Sequence, residues 1–443
     1  MSMPPSQAEL PAESTPTDVG FVDEAAAGSP DRFAVNELTA NSFVEYARAL
    51  GKRIRSGESG ALPVVIGLVV IVAIFQSQNS KFLSTGNLTN LIEQSGVFVI
   101  LGMAEVFVLL LAEIDLSVGY VGAVGATVTA ELATNPHNVN WFLACLAGLG
   151  VCAVIGAVQG LLITRLGLPS FVVTLAGLLG FEGVLLYLIQ HDKAATGGTI
   201  PVTNKVINDI INGSLSNTVG WIVMVIVVVA YGAISVLQNR RRRASGLVTA
   251  PLALVAIKVG AVAVVGVVLV LVCNANRGLG LTKLEGVPWI VPILLVLLVV
   301  YSVLLGRTRF GRYLYAIGGN AEAARRAGIS LKTIRLFAFV LCSVTSGLGG
   351  IVYLSQLGSI SSNVDGGNLV LYAIAAAVIG GTSLFGGRGK MIHALLGGLI
   401  IAAVYNGMGL IGLSAAAQFM VTALVLLAAV TVDAVSRRGR TSA

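Results

Sequence analysis

Twelve long apolar segments, separated by mostly short polar gaps, organise the chain from residue 61 onward. They read as 61–77, 90–112, 114–133, 141–163, 169–190, 219–237, 248–273, 288–305, 336–357, 369–385, 391–412 and 417–435. Each approaches the roughly 20 residues needed to cross about 30 Å of hydrocarbon at 1.5 Å per residue, with the first, sixth, eighth and tenth on the short side. The expected fold is an all-α, polytopic integral membrane protein with about 12 transmembrane helices. Residues 1–58 are polar and rich in Pro, Ser, Ala and acidic groups, which predicts a disordered cytoplasmic leader, with 35–49 as a short surface helix. The membrane domain is expected over 59–436 and a basic cytoplasmic tail over 437–443.

The basic residues give the orientation. They fall in six patches: Lys52, Arg53 and Arg55; Arg165; Arg240 to Arg243; Arg307, Arg309, Arg312, Arg325, Arg326, Lys332 and Arg335; Arg388 with Lys390; and Arg437, Arg438 and Arg440. On a twelve-crossing path these patches share one side. About 22 Lys and Arg lie there and about 5 opposite, with Lys258 left inside a span. Lys and Arg are retained in cytoplasmic loops, so both termini are expected inside. The longest basic gap, 306–335, is where a cytoplasmic partner would dock.

Composition agrees with the pattern. Hydrophobic residues make up 56% of the chain and charged residues 11%, and mean hydropathy is +0.89, too apolar to be covered by polar surface in water. Gly is abundant, 53 of 443, which suits close helix packing, and Gly156 and Gly160 form one small-xxx-small pair. The net charge of +7 is spread over short loops, which argues against nucleic-acid binding. Cys145, Cys152, Cys273 and Cys342 all lie in apolar segments without metal or disulfide spacing.

Candidate chemistry is sparse. Within the long basic gap, Asn320 is a natural N-cap and Glu322 stands in the first turn. Ala321, Ala323 and Ala324 favour helix, and Gly328 is placed to end it. A short two-turn helix clear of the membrane is predicted. Both an interfacial helix and a helix gripped by a cytoplasmic protein fit that pattern. Glu113 and Asp115 lie between two spans, and either Asp115 or Ser117 can start the next helix; lining or gating a solute path is the competing role. Glu93, Glu105, Glu131, Glu182, Lys258, Asp365 and Asn406 are further intramembrane polar residues. The string Gly386-Gly387-Arg388-Gly389-Lys390 lacks the leading Gly of a phosphate loop, and Met391 stands where Ser or Thr is needed. No hydrolase signature is present, and His137, His191 and His393 are scattered.

Glu322-Ala323-Ala324 followed by Gly328 resembles the EAA motif of ATP-binding-cassette importer permeases. The wider string from Phe310 to Ile329 is similar to the ribose/xylose/galactose-type sugar permeases. So are Ala112 to Gly119, Pro169 to Gly177 and Ala377 to Gly387. The resemblance covers roughly residues 60–436, in order. The extra pair of spans over 219–273, and Glu113 where ribose-type members usually carry glycine, look like the xylose type.

The resemblance implies a permease of the bacterial cytoplasmic membrane, paired with a second copy, moving xylose or a related pentose by alternating access. ATP and Mg would be bound by partner ATPase subunits, leaving no cofactor here. Those subunits would grip Gly319, Asn320, Glu322, Ala323, Ala324, Arg325 and Gly328, and an extracytoplasmic binding protein would deliver the sugar. A pentose is neutral, so hydroxyl-bonding and aromatic residues are the candidates for its path: Asn363, Tyr372, Tyr405 and Asn406, with Glu113, Asp115 and Ser117 as gating candidates. A permease for galactose, ribose, an autoinducer sugar or a nucleoside is the alternative within the group. An ion-coupled secondary transporter and a polytopic membrane enzyme are the alternatives outside it.

Overall fold

The computed structural model describes residues 62–245, 251–278, 283–425, 427 and 431. The leader 1–58, with its 35–49 helix and the first basic patch, and the tail 437–443 lie outside the described residues.

The chain begins with α1 (Leu62–Gln78), α2 (Thr85–Leu109), α3 (Val118–Ala133), α4 (Trp141–Arg165) and α5 (Ser170–His191). A gap follows that carries strand β1 (Thr199–Pro201) and the short α6 (Lys205–Asn212). Then come α7 (Asn217–Ala244), α8 (Leu252–Asn274), α9 (Ile290–Arg307), α10 (Arg309–Gly319), α11 (Ala321–Arg326) and α12 (Leu331–Leu357). Strand β2 (Ser359–Ser361), α13 (Gly366–Ile379), α14 (Met391–Leu410) and α15 (Ala415–Val425) complete the described chain. Eight of these helices, α2, α4, α5, α7, α8, α9, α12 and α14, are long and apolar enough to cross a bilayer; α1, α3, α13 and α15 are shorter apolar helices. The protein is a polytopic membrane protein.

Over its described residues each expected apolar segment is matched by a helix, but not at the expected bounds; most of the last segment beyond Val425 lies outside the described residues. The sixth is long, not short, because Arg240 to Arg243 continue α7 for a further turn. α12 starts a turn and more earlier than expected and takes up Lys332 and Arg335. α3 starts at Val118 because residues 110–117 fold into a tight turn, with Ala112 at φ +60°. Asp365, expected inside the membrane, is an exposed N-cap of α13 and accepts from Asn368 N at 3.1 Å. The fold is mostly helical, not purely so. β1 and β2 pair antiparallel, Thr199 opposite Ser361, with Ile200 and Ile360 fully buried between them.

α2 forms the centre, mostly buried, flanked by α12, α14 and α13, with α9 against it as well. Apolar contact gives little net attraction between helices in lipid, so close backbone approach carries the association. A side chain at Gly350 would stand 1.9 Å from Gly122 O, and one at Gly397 1.8 Å from Ala376 O. Gly156 and Gly160 serve the same purpose, pressing α4 on Phe339 O and Leu336 of α12. α7 and α8 form a peripheral hairpin, exposed over most of their length.

The gaps sort to two ends. β1–β2 pairing brings 192–216 and 358–365 together. At the other end the turns 110–117 and 380–390 meet the α10–α11 arm.

Candidate functional site

The arm between α9 and α12 is built by local rules. Thr308 starts α10, its hydroxyl accepting from Gly311 N at 3.2 Å. Asn320 ends α10 and caps α11, its side chain accepting from Ala323 N at 2.9 Å. Gly328, at φ +80°, closes α11: Gly328 N donates to Arg325 O at 3.0 Å and Ile329 N to Ala324 O at 3.1 Å. That pair of bonds is a Schellman motif, which requires a left-handed residue at this point. So α11 is the predicted capped helix, but it has six residues where two turns were expected, and α10 is a second helix in the same basic gap.

Only Ala324 of α11 is buried; Glu322, Ala323, Arg325 and Arg326 are exposed, as are Gly319, Asn320 and Gly328. Glu322 Oε1 accepts from Arg325 at 2.9 Å and Arg326 at 3.1 Å. These two guanidinium groups hold the carboxyl below its usual range.

The arm bears on two turns of the transmembrane region. Tyr315 donates its hydroxyl hydrogen to Gly389 O at 2.7 Å. Burial of the Tyr315 ring raises its pKa and keeps it a donor. Gly387 N donates to Leu110 O at 2.9 Å, and Gly318 lies against both atoms. One carbonyl at the end of α2 is thus enclosed by α10 and the 380–390 turn.

Beside this junction lies a second cluster. Glu113 Oε1 stands 2.9 Å from Arg335 Nε, an ion pair with a nearly buried carboxylate and a partly exposed guanidinium. Asp115 is fully buried and accepts from Ser117 N at 2.9 Å and Ser117 Oγ at 2.6 Å; Gln159 Nε2 donates to the same hydroxyl at 2.8 Å. Cys342 Sγ points at Asp115 Oδ2 from 3.7 Å. Ser117 is the N-cap position of α3, without a side-chain capping bond; its hydroxyl is spent on Asp115. Glu105 of α2 is also fully buried, with neither carboxyl oxygen hydrogen-bonded among the described residues.

The other path candidates do not join this cluster. Tyr372 and Tyr405 share an aromatic group with Phe98, at ring distances of 5.3 Å and 5.5 Å from it. The neighbouring Asn406 accepts from Asn87 Nδ2 at 2.9 Å and donates to Gln94 Oε1 at 3.3 Å, tying α14 to α2. Asn363 is exposed, beyond β2 at the far end. Sequence reasoning missed Leu110, Gly318, Gly387 and Tyr315 as a junction. The doubled glycines at 318–319 and 386–387 were the available signal.

Residues 87–430 match the family described as branched-chain amino acid transport system / permease component. The chain belongs to this permease family. It is 32% identical over 382 residues to the xylose transport system permease protein XylH of Escherichia coli (strain K12), covering 85% of this chain and 92% of that relative. The ribose import permease protein RbsC of the same strain is 29% identical over 369 residues, 83% of this chain and 92% of its own length. The D-allose transport system permease protein AlsC is 32% identical over 368 residues, 83% and 89%. No solved structure matches the chain. The chain is therefore a transport subunit, homologous to bacterial inner-membrane permeases, and ATP hydrolysis lies in a separate subunit.

Proposed function

We propose that this permease is the membrane subunit of an ATP-driven importer for a neutral sugar, xylose or a related pentose. Twelve helices cross the membrane, with both termini and the α10–α11 arm on the cytoplasmic side. The pairing of β1 with β2 at one end, and the meeting of the 110–117, 306–335 and 380–390 gaps at the other, support that count. A second copy completes the pathway, a binding protein delivers sugar at the β1–β2 end, and ATPase subunits grip residues 319–328.

The observation that carries this reading is the arm itself. α11 is exposed and anchored by one buried alanine, yet α10 beside it presses on the ends of α2 and of the 380–390 turn. A push on α11 is thereby delivered to the buried centre. Alternating access follows if ATPase and binding protein each favour one of two arrangements. Glu113, Asp115 and Ser117 would act at the gate beside this junction. Tyr372, Tyr405, Asn406 and Asn363 would line stretches nearer the delivering side.

The test is co-purification of the tagged chain from native membranes, then sugar uptake by the recovered assembly in proteoliposomes. A sugar-type ATPase, a binding protein and ATP-dependent xylose uptake are expected. Recovery without an ATPase, and uptake that follows membrane potential, would sink the reading. The allose-type relative matches at the same identity as the xylose-type one. A hexose is therefore the second reading, and competition by allose against xylose decides between them.

A further inference from the structure

The α7–α8 hairpin carries a charge pattern that transport coupling does not use. Between Asp209 and Glu285 there is no acidic residue, while Arg240 to Arg243, Lys258, Arg277 and Lys283 all fall there. Arg240, Arg241 and Arg242 are exposed in the last turns of α7. Lys258 is exposed too, but seven residues into α8, among the exposed apolar residues Leu252, Ile257, Val264 and Val265.

The register of the hairpin relates these groups. Val259 faces Gly232, and Met224 faces Gly266. Lys258 is thus level with the residues just after Gly232, roughly 10 Å deeper than Arg240 at 1.5 Å per residue. A lysine at that depth extends its stem along the apolar surface toward the headgroup level, where the arginines stand. The buried apolar cluster holding the hairpin to the bundle lies at its opposite end: Leu215, Val270, Cys273 and Val287, with Ile92 and Val291.

We propose that the basic end of the α7–α8 hairpin is a seat for an anionic phospholipid. The Arg240 to Arg242 run, fanned about 100° per residue round the end of α7, makes the headgroup level above Lys258 basic. The phosphate sits between that run and the Lys258 ammonium, and the lipid's acyl chains lie on the apolar face around Lys258. Retention of cationic loops on the cytoplasmic side accounts for an arginine run. It does not account for a lysine placed in the hydrocarbon with no carboxylate on its hairpin. An anionic headgroup supplies the missing countercharge.

The test uses full-length protein extracted in mild detergent from bilayers of equal phosphatidylglycerol and phosphatidylcholine, with retained lipid counted by native mass spectrometry. Wild type is expected to retain phosphatidylglycerol preferentially. Each charge removed, by Lys258→Met or by Arg240→Gln, should weaken that preference about fivefold. Lys258→Arg should keep it. Lys258→Met removes a charge that disfavours insertion, so misfolding does not explain a loss. Equal retention of the two lipids by wild type, or an unchanged preference in Lys258→Met, overturns the proposal. So does release of the bound lipid by added inorganic phosphate, which would mark a free-anion site.

Discussion

Gly318→Ala should uncouple the arm from the membrane helices, while Gly319→Ala, one residue on, should leave that junction intact. A β-carbon at Gly318 would stand 1.7 Å from Leu110 O and 2.5 Å from Gly387 N, both backbone atoms that no rotamer change can move aside. Ordinary contact needs about 3.5 Å, so α10 and the end of α2 must part by more than about 1 Å. Gly387 N donates to Leu110 O at 2.9 Å. Opening the junction costs that bond, about 1 kcal/mol net, and overpacking adds about 1–3 kcal/mol. Against this, alanine in place of a helical glycine gains about 1 kcal/mol. The balance is a loss of about 1–3 kcal/mol, concentrated at the contact through which α11 reaches α2. At Gly319 nothing lies within 4 Å of the added carbon, so only the helical gain remains.

The assay is ATP-driven sugar uptake alongside ATPase turnover, in proteoliposomes containing the permease, its ATPase and the binding protein. Gly318→Ala should insert normally and hydrolyse ATP, but its uptake per ATP should fall about tenfold, the effect of roughly 1.4 kcal/mol between the two states. Gly319→Ala keeps the Leu110–Gly387 junction closed and should retain clearly more uptake per ATP than Gly318→Ala. Equal uptake by the two variants would refute the reasoning, because the contact distances admit no other ranking.

Gly328→Pro places a residue fixed near φ −65° where the backbone is at +80° and removes the N–H that donates to Arg325, so transport should be lost with insertion intact; Gly328→Ala, costing about 1–2 kcal/mol, should lose only part of it, as uptake assays would record. Arg335→Gln leaves the Glu113 carboxylate nearly buried and unpaired. It should cost about 1–3 kcal/mol in thermal unfolding of the purified protein, between the limits for exposed and buried pairs, and Glu113→Gln in the same chain should restore part of it. The Glu322 carboxyl is held low by Arg325 and Arg326, so its contribution is present above the ordinary carboxylate range and fades only as pH falls through its lowered value. Hydrogen exchange of the 321–329 amides, corrected for intrinsic rates, should be flat from about pH 5 to 8; a fall in protection within that range would count against the pairing.

What was legible in the chain was whatever local chemistry determines. The apolar segments, the Asn320 cap and the Gly328 stop all depend on residues close in sequence. The junction was not legible, because Leu110 O, Gly318 and Gly387 N are backbone atoms from three distant segments. Nothing in their identities reports contact beyond the presence of glycine. The Asp115 turn was half legible. Asp-Leu-Ser suggested a helix start, but Gln159, which draws the serine hydroxyl into the network, is 42 positions away. Helix bounds shifted for similar reasons: Arg240 to Arg243 are good helix formers that hydropathy counts as a break.

The arrangement around α2 explains why a contact at one end can matter at the other. Apolar residues that face lipid in one state lose little by facing it in another, so side-chain burial alone holds membrane helices weakly. Polar links are different, because a buried donor or acceptor without its partner costs about 1–3 kcal/mol. α2 has one set of fixed points at each end: Leu110 O under α10 at the arm, and Gln94 and Asn87 bonded to Asn406 of α14 toward the other side. Between them α9 is fastened to α12 by the Tyr301–Thr345 hydroxyl pair at 2.8 Å. A displacement imposed at Leu110 cannot be absorbed by α2 alone, since the helix is internally hydrogen-bonded along its length. It must be passed to α14 or break the Asn87–Asn406 bond. If the coupling runs through α2 as proposed, Asn406→Leu should leave the arm intact and still lower uptake per ATP. Unchanged uptake with that variant would mean that α2 is a passive spacer and that motion travels through the 380–390 turn directly into α14.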